Sequence, residues 1–137
     1  MTASRLCARV PIGAPTDAVF ASLVDGASFS RWFGYPITIE PRVGGRWAMG
    51  TAATGYGPVG TVLVLEQDRR LVMAEEGSGP AHWELEPDGH GTLLTFRQGG
   101  TQSSRPPHPG WCGWLSGIAE LRRFHEVPDW RPIWLPV

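Results

Sequence analysis

The chain has 137 residues, 42% of them hydrophobic, and a net charge of −1. That is enough for one domain with its own core, and too neutral for an electrostatic hold on nucleic acid or an acidic membrane. No run approaches the roughly 18 apolar residues of a membrane span, and Cys7 and Cys112 are too few and too far apart for a disulfide framework.

The opening "MTASRLCARVPIGAP" lacks an apolar core of the signal-peptide type, so a cytoplasmic protein is expected. Within it, Leu6, Ala8 and Val10 alternate and predict a first strand. "APTDAVFASLVDG" predicts a short helix with Pro15 in its first turn and Gly26 as its stop. Its buried stripe is Val19, Phe20, Leu23 and Val24. "ASFSRWFG" predicts a second short helix, capped by Ser28 or Ser30, with Phe29, Trp32 and Phe33 turned inward.

From Pro36 to Gln98 the pattern changes to strands: "PITIEPRV", "GRWAMGTA", "VGTVLVLEQ", "RRLVMAEE", "AHWELEP" and "GTLLTFRQ". Turn signals such as Gly44-Gly45, "TGYGP", "QDRR", "GSGP" and "PDGHG" separate them, which predicts an antiparallel meander. "GGTQSSRPPHPG" is a loop. "GWCGWLSGIAELRRFHE", Gly110 to Glu126, then predicts a long amphipathic helix. Trp111, Trp114, Leu115, Ile118, Leu121 and Phe124 share its apolar face, with Gly113, Ser116, Glu120 and Arg123 opposite. Gly113 and Gly117 make a smooth strip, for close packing or beside a space. Residues 127–137 form an irregular tail. The order is strand, two helices, about six strands and one long helix. A curved sheet covered by that helix does not close completely, and the gap between them is a cavity.

Several segments now line up with a known family: "FSRWFG", "VGGRWAM", Gly60 to Val62, "RRLVM", "WELEPDGHGTLLTFRQGG" and "GWCGWLSGIAELRRF". In this order the chain resembles the heat-shock-protein ATPase-activator homologues of the START-like (SRPBCC) superfamily, over roughly residues 5–126. The resemblance implies a single α+β domain with the helix-grip (START-like, Bet v 1-like) fold. It also implies a deep apolar cavity between sheet and helix, and no cofactor. A chaperone partner is not expected, because this chain carries only the small domain. Monomer and homodimer both stay open.

With the family motif placing Trp47 inward, Met49 follows it. The period of two puts Leu94, Phe96 and Gln98 on one face, Leu71, Met73 and Glu75 on another shared face, and Trp83 with Leu85. The expected ligand lining is therefore Trp32, Phe33, Trp47, Met49, Met73, Trp83, Phe96, Trp114 and Ile118, although such stripes also describe a plain core. Glu75 and Gln98 are the candidate catalytic groups. An inward carboxylate suits general acid–base work, while a strand-end carboxylate beside Glu76 would simply be solvated.

The four histidines lack metal-ligand spacing, so no metal is expected. His82 lies on the outward parity, His90 in a turn, His108 in the loop, and His125 beside Arg122 where a cation suits a helix C-terminus. Cys112, Ser22, Ser103 and Ser104 lack a nucleophile motif, and "GTAATGYGPVG" lacks a P-loop lysine and is expected to be a hairpin. Two functions remain. One is binding of a small hydrophobic or aromatic ligand for transport, sensing or sequestration. The other is a cofactor-free enzyme, such as a polyketide cyclase, dehydratase or isomerase, with Glu75 as acid or base and His108 as a possible helper.

Overall fold

The computed structural model describes residues 5–50, 58–77, 79–99 and 109–132, the side chains of residues 109–112 excepted. Ten elements follow one another: β1 (Arg5–Ile12), α1 (Thr16–Val24), α2 (Gly26–Phe33), β2 (Ile37–Ile39), β3 (Arg46–Met49), β4 (Val59–Glu66), β5 (Arg70–Glu75), β6 (Ala81–Asp88), β7 (Gly91–Gly99) and α3 (Pro109–Glu126). The seven strands form one sheet in the order β1-β7-β6-β5-β4-β3-β2, with every adjacent pair antiparallel. This is the expected α+β helix-grip architecture. "PITIEPRV" shortens to a three-residue strand, because Glu40 to Gly45 make a turn that the Glu40 carboxylate holds by accepting from the Arg46 N–H.

The short helices begin differently from the sequence expectation. Asp25, not Ser28 or Ser30, caps α2: its carboxylate accepts from the Ser28 N–H and the Ser28 hydroxyl. Ser30 instead sits in the last turn, where its hydroxyl accepts from the Ile37 N–H and reaches the Gly26 and Ile37 carbonyls, so it fastens β2 to α2. Gly26 opens α2 rather than ending α1, since the chain turns at Asp25 without a linker.

One sheet face is apolar, and its rows can be read across the strands. Val10, Leu94 and Leu85 make one row; Ala8, Phe96, Trp83 and Leu71 the next; Leu6, Gln98, Ala81, Met73 and Val62 the third. Helices α1, α2 and α3 cover this face, burying Phe20, Leu23, Phe29, Trp32, Trp114, Ile118 and Leu121. The opposite face carries charge. There Arg97 pairs with Glu84, and burial, with help from Arg97 and Arg70, holds the His82 imidazole below its usual range.

Helix α3 departs from its predicted stripe at two positions. Leu115 is 43% exposed, whereas Glu120 is only 4% exposed. Glu120 lies opposite the sheet, but the chain beyond α3 folds back over it. The Trp130 indole donates to Glu120 Oε2 at 3.2 Å, Arg123 pairs with Oε1, and Trp130 meets the Phe124 ring edge-on. The glycine strip also divides. A Cβ on Gly113 would meet nothing, while one on Gly117 would lie 2.6 Å from the Phe33 ring. Gly117 thus accepts the roughly 1 kcal/mol propensity cost of glycine because only a bare backbone lets Phe33 wedge beneath α3.

Candidate functional site

Six rings meet between the sheet and the helices: Phe29, Trp32 and Phe33 of α2, Trp83 of β6, Phe96 of β7 and Trp114 of α3. Trp83 is central. Its ring lies 4.7 Å from Phe96, 5.6 Å from Trp114, 6.1 Å from Phe29 and 6.2 Å from Trp32, edge-on to each. Phe33 and Phe96 in turn lean on Trp114 at 5.5 and 5.4 Å. Edge-to-face pairs of this kind are worth about 0.5–1.5 kcal/mol each beyond their buried area, so the cluster anchors α3 to the sheet.

One row along the same face, polarity begins. Gln98 follows Phe96 by two residues, a step of roughly 7 Å along an extended strand. It is 4% exposed, and its amide Nε2 donates both to Glu75 Oε2, at 2.9 Å, and to the Gly79 carbonyl, at 3.1 Å. Glu75 ends β5 on the parity of Leu71 and Met73, half-buried rather than free in solvent. The structure thus joins the two residues that the sequence singled out for chemistry. The register makes this possible: Met73 faces Ala81, and Ala81 faces Gln98, so the end of β5 reaches the end of β7 across a small residue.

Trp47 stands on the far side of Glu75. It lies over Gly60, which pairs with Glu75, and its indole donates to the Ala74 carbonyl at 2.8 Å. A Cβ on Gly60 would overlap that carbonyl oxygen and lie 2.9 Å from Trp47 Nε1. Met49, Met73 and Ile118 are buried in the same core. Among the lining residues named from sequence, Trp32, Phe33, Trp83, Phe96 and Trp114 form one contact cluster, whereas Trp47 borders the polar pair instead.

Sequence reasoning missed one pairing. The Ser22 hydroxyl of α1 meets His125 Nε2 at 2.9 Å, near the end of α3. Burial lowers the affinity of His125 for a proton, which works against its expected role as a cation for the helix terminus. Arg122 is likewise taken up by Glu126, which also accepts from the Gly13 N–H. His125 sets a pH dependence. Its folded value lies below the unfolded value of 6.5, so the unfolded chain binds the proton more readily. Stability is therefore full above about pH 6.5 and declines as pH falls through the folded value. In His125→Gln, denaturant titrations across this range should show a shallower acid-side decline. His82, shifted the same way, contributes to the same decline.

No cluster of three His, Cys, Asp or Glu able to hold a metal occurs among the described residues. Ser103, Ser104, His108 and the "TGYG" of the expected hairpin lie outside the described residues, as do the side chains of Trp111 and Cys112.

The profile of the family described as "Activator of Hsp90 ATPase homolog 1-like protein" matches residues 13–123. The chain belongs to this family. No curated protein matches. Solved structures repeat the fold. The chain is similar to a protein of unknown function, EF2215, from Enterococcus faecalis, with 21% identity, TM-score 0.79, and 96% of this chain and 77% of that one covered. It is similar to CalU16 from Micromonospora echinospora, with 26% identity, TM-score 0.72, and 91% and 78% covered. It is also similar to the Aha1 dimer from Colwellia psychrerythraea, with 16% identity, TM-score 0.74, and 92% and 98% covered. Among the described residues no helix is long and apolar enough to cross a membrane.

Proposed function

We propose that the protein binds a flat aromatic or apolar molecule between the sheet and α3, as a carrier, sensor or sequestering protein. One observation carries this reading: a six-ring aromatic cluster runs directly into a hydrogen-bonded Gln98–Glu75 pair on an otherwise apolar face. Gln98, buried and held by Glu75 and the Gly79 carbonyl, gives up its hydration to set a fixed polar group beside the rings. A binding site needs apolar walls for affinity and a few fixed polar groups for orientation. Trp32, Phe33, Met73, Trp83, Phe96, Trp114 and Ile118 would supply the walls, and Trp47 with Met49 the border beside the polar pair. The family fold supports this, being one that holds small hydrophobic ligands.

The test is tryptophan fluorescence titrated with a flat aromatic probe such as 2-acetylnaphthalene. Saturable quenching is expected. Trp47→Ala should weaken it more than Trp130→Ala, because Trp130 is occupied with Glu120 and Phe124 outside the ring cluster. Equal responses of the two variants would contradict the placement.

A second reading, cofactor-free acid–base catalysis, draws on the same pair. Gln98 fixes Glu75 Oε2 and leaves Oε1, which accepts no hydrogen bond among the described residues, to take a proton from a bound substrate. Under that reading Glu75→Gln keeps the fold and lowers turnover by about 10²-fold or more. A pure binder loses little affinity for a neutral ligand in the same variant.

A further inference from the structure

Tryptophan brings one hydrogen-bond donor with every ring, and three of the seven in this chain give theirs to a carbonyl or carboxylate. Trp32 Nε1 donates to the Ser22 carbonyl at 3.0 Å, Trp47 Nε1 to the Ala74 carbonyl at 2.8 Å, and Trp130 Nε1 to Glu120. Trp83 differs from these three. It is fully buried at the centre of the ring cluster, yet its Nε1 has no partner among the described residues. A buried N–H without an acceptor is destabilising, a cost that a phenylalanine at this position would not carry.

Among the described residues nothing accepts the bond. The neighbouring rings are Phe29, Trp32, Phe96 and Trp114. The nearest polar side chain along the face, Gln98, stands one row on, and its amide oxygen does not accept from the indole. We propose that Trp83 Nε1 is a recognition donor for an oxygen acceptor on the bound molecule, which makes the ligand class an aromatic carbonyl compound rather than a bare hydrocarbon. This rests on the binding function proposed above. The ring would stack among the aromatic side chains, and its carbonyl oxygen would supply the acceptor that Trp83 lacks. Specificity then follows, because a ligand without the oxygen leaves the indole unpaired.

The experiment compares two probes of nearly equal shape, 2-acetylnaphthalene and 2-isopropenylnaphthalene, on the wild-type protein and on Trp83→Phe. Each affinity is measured calorimetrically. The ratio of ketone to hydrocarbon affinity should fall about tenfold in the variant, the worth of one buried donor's bond. The smaller ring weakens the apolar wall for both probes alike, so the ratio isolates the donor. A ratio that is the same in both proteins overturns the proposal and shows that the N–H rests against a ring face. Hydrocarbon binding would still uphold the binding function in that case. If neither probe binds the wild-type protein, that function falls and this proposal with it. A second measurement needs no folded variant. In the wild-type protein, the Trp83 indole N–H resonance should move downfield with the ketone and not with the hydrocarbon. A resonance that responds alike to both overturns the proposal.

Discussion

Gly60→Ala should cost about 3–5 kcal/mol, the overpacking penalty combined with an indole and a carbonyl left unpaired. The site explains the size. Pairing between β4 and β5 slips where Val62 faces Met73 but Val64 faces Val72, so Leu63 is an extra, exposed residue. Beside this bulge, the Ala74 carbonyl lies where a Cβ on Gly60 would be, and Trp47 Nε1 binds it. A methyl group there must push either the β5 backbone or the Trp47 ring. Against a typical total stability of about 5–15 kcal/mol, the variant should be largely unfolded at moderate denaturant. Gly60→Ala and Trp47→Phe should also be non-additive, since both act on the Ala74 carbonyl. Urea titrations of the single and double variants check both statements. An additive pair would show that the clash is not with the Trp47 contact.

Trp114→Ala is expected to cost a similar amount, about 3–5 kcal/mol, as for other large-to-small changes in a core. Trp114 is the α3 residue that touches both sides of the grip: Phe33 of α2, and Trp83 and Phe96 of the sheet. Its loss removes three ring contacts and leaves a hole at the cluster's centre. Thermal unfolding should reveal a large drop in Tm. Leu115→Ala, one residue on and 43% exposed, should change little and serves as the control. A small effect of Trp114→Ala would mean that α3 is held by Ile118 and Leu121 alone.

These two sites also show what a sequence can disclose. The period of two groups Leu71 with Met73 and Glu75, Trp83 with Leu85, and Phe96 with Gln98, and the pairing of β5, β6 and β7 turns all three groups to one face. Alternation is a local property of an extended chain, and the meander's short turns keep the register simple. The same logic foretold that Trp114 and Ile118 of α3 turn inward. The reason for Gly60 was hidden, because it depends on a carbonyl of the next strand and a bulge that no periodicity marks. Glu120 was placed in solvent for a similar reason. Helical periodicity knows one face for the sheet but nothing of Trp130 returning over the other. Ser22 and His125, 103 residues apart, meet only after α1 and α3 have docked.

At the site itself, the residue types that mattered were legible and their partners were not. Glu75 stood out as a carboxylate on an apolar parity, and Gln98 as the polar end of a strand. That each holds the other follows from Ala81 between them, which leaves room for the amide to reach across. The unpaired donor of Trp83 could not be read at all, since a tryptophan in a core stripe looks the same whether or not its N–H is used.

Native mass spectrometry tests the binding function most directly. The purified protein, equilibrated with an excess of 2-acetylnaphthalene, should carry one bound molecule, lost on denaturation and retained by Trp130→Ala. Whatever co-purifies from the host should be displaced by it. A protein that stays at its bare mass with this probe, and carries nothing displaceable from the host, would contradict the claim that the grip between sheet and α3 is a binding site.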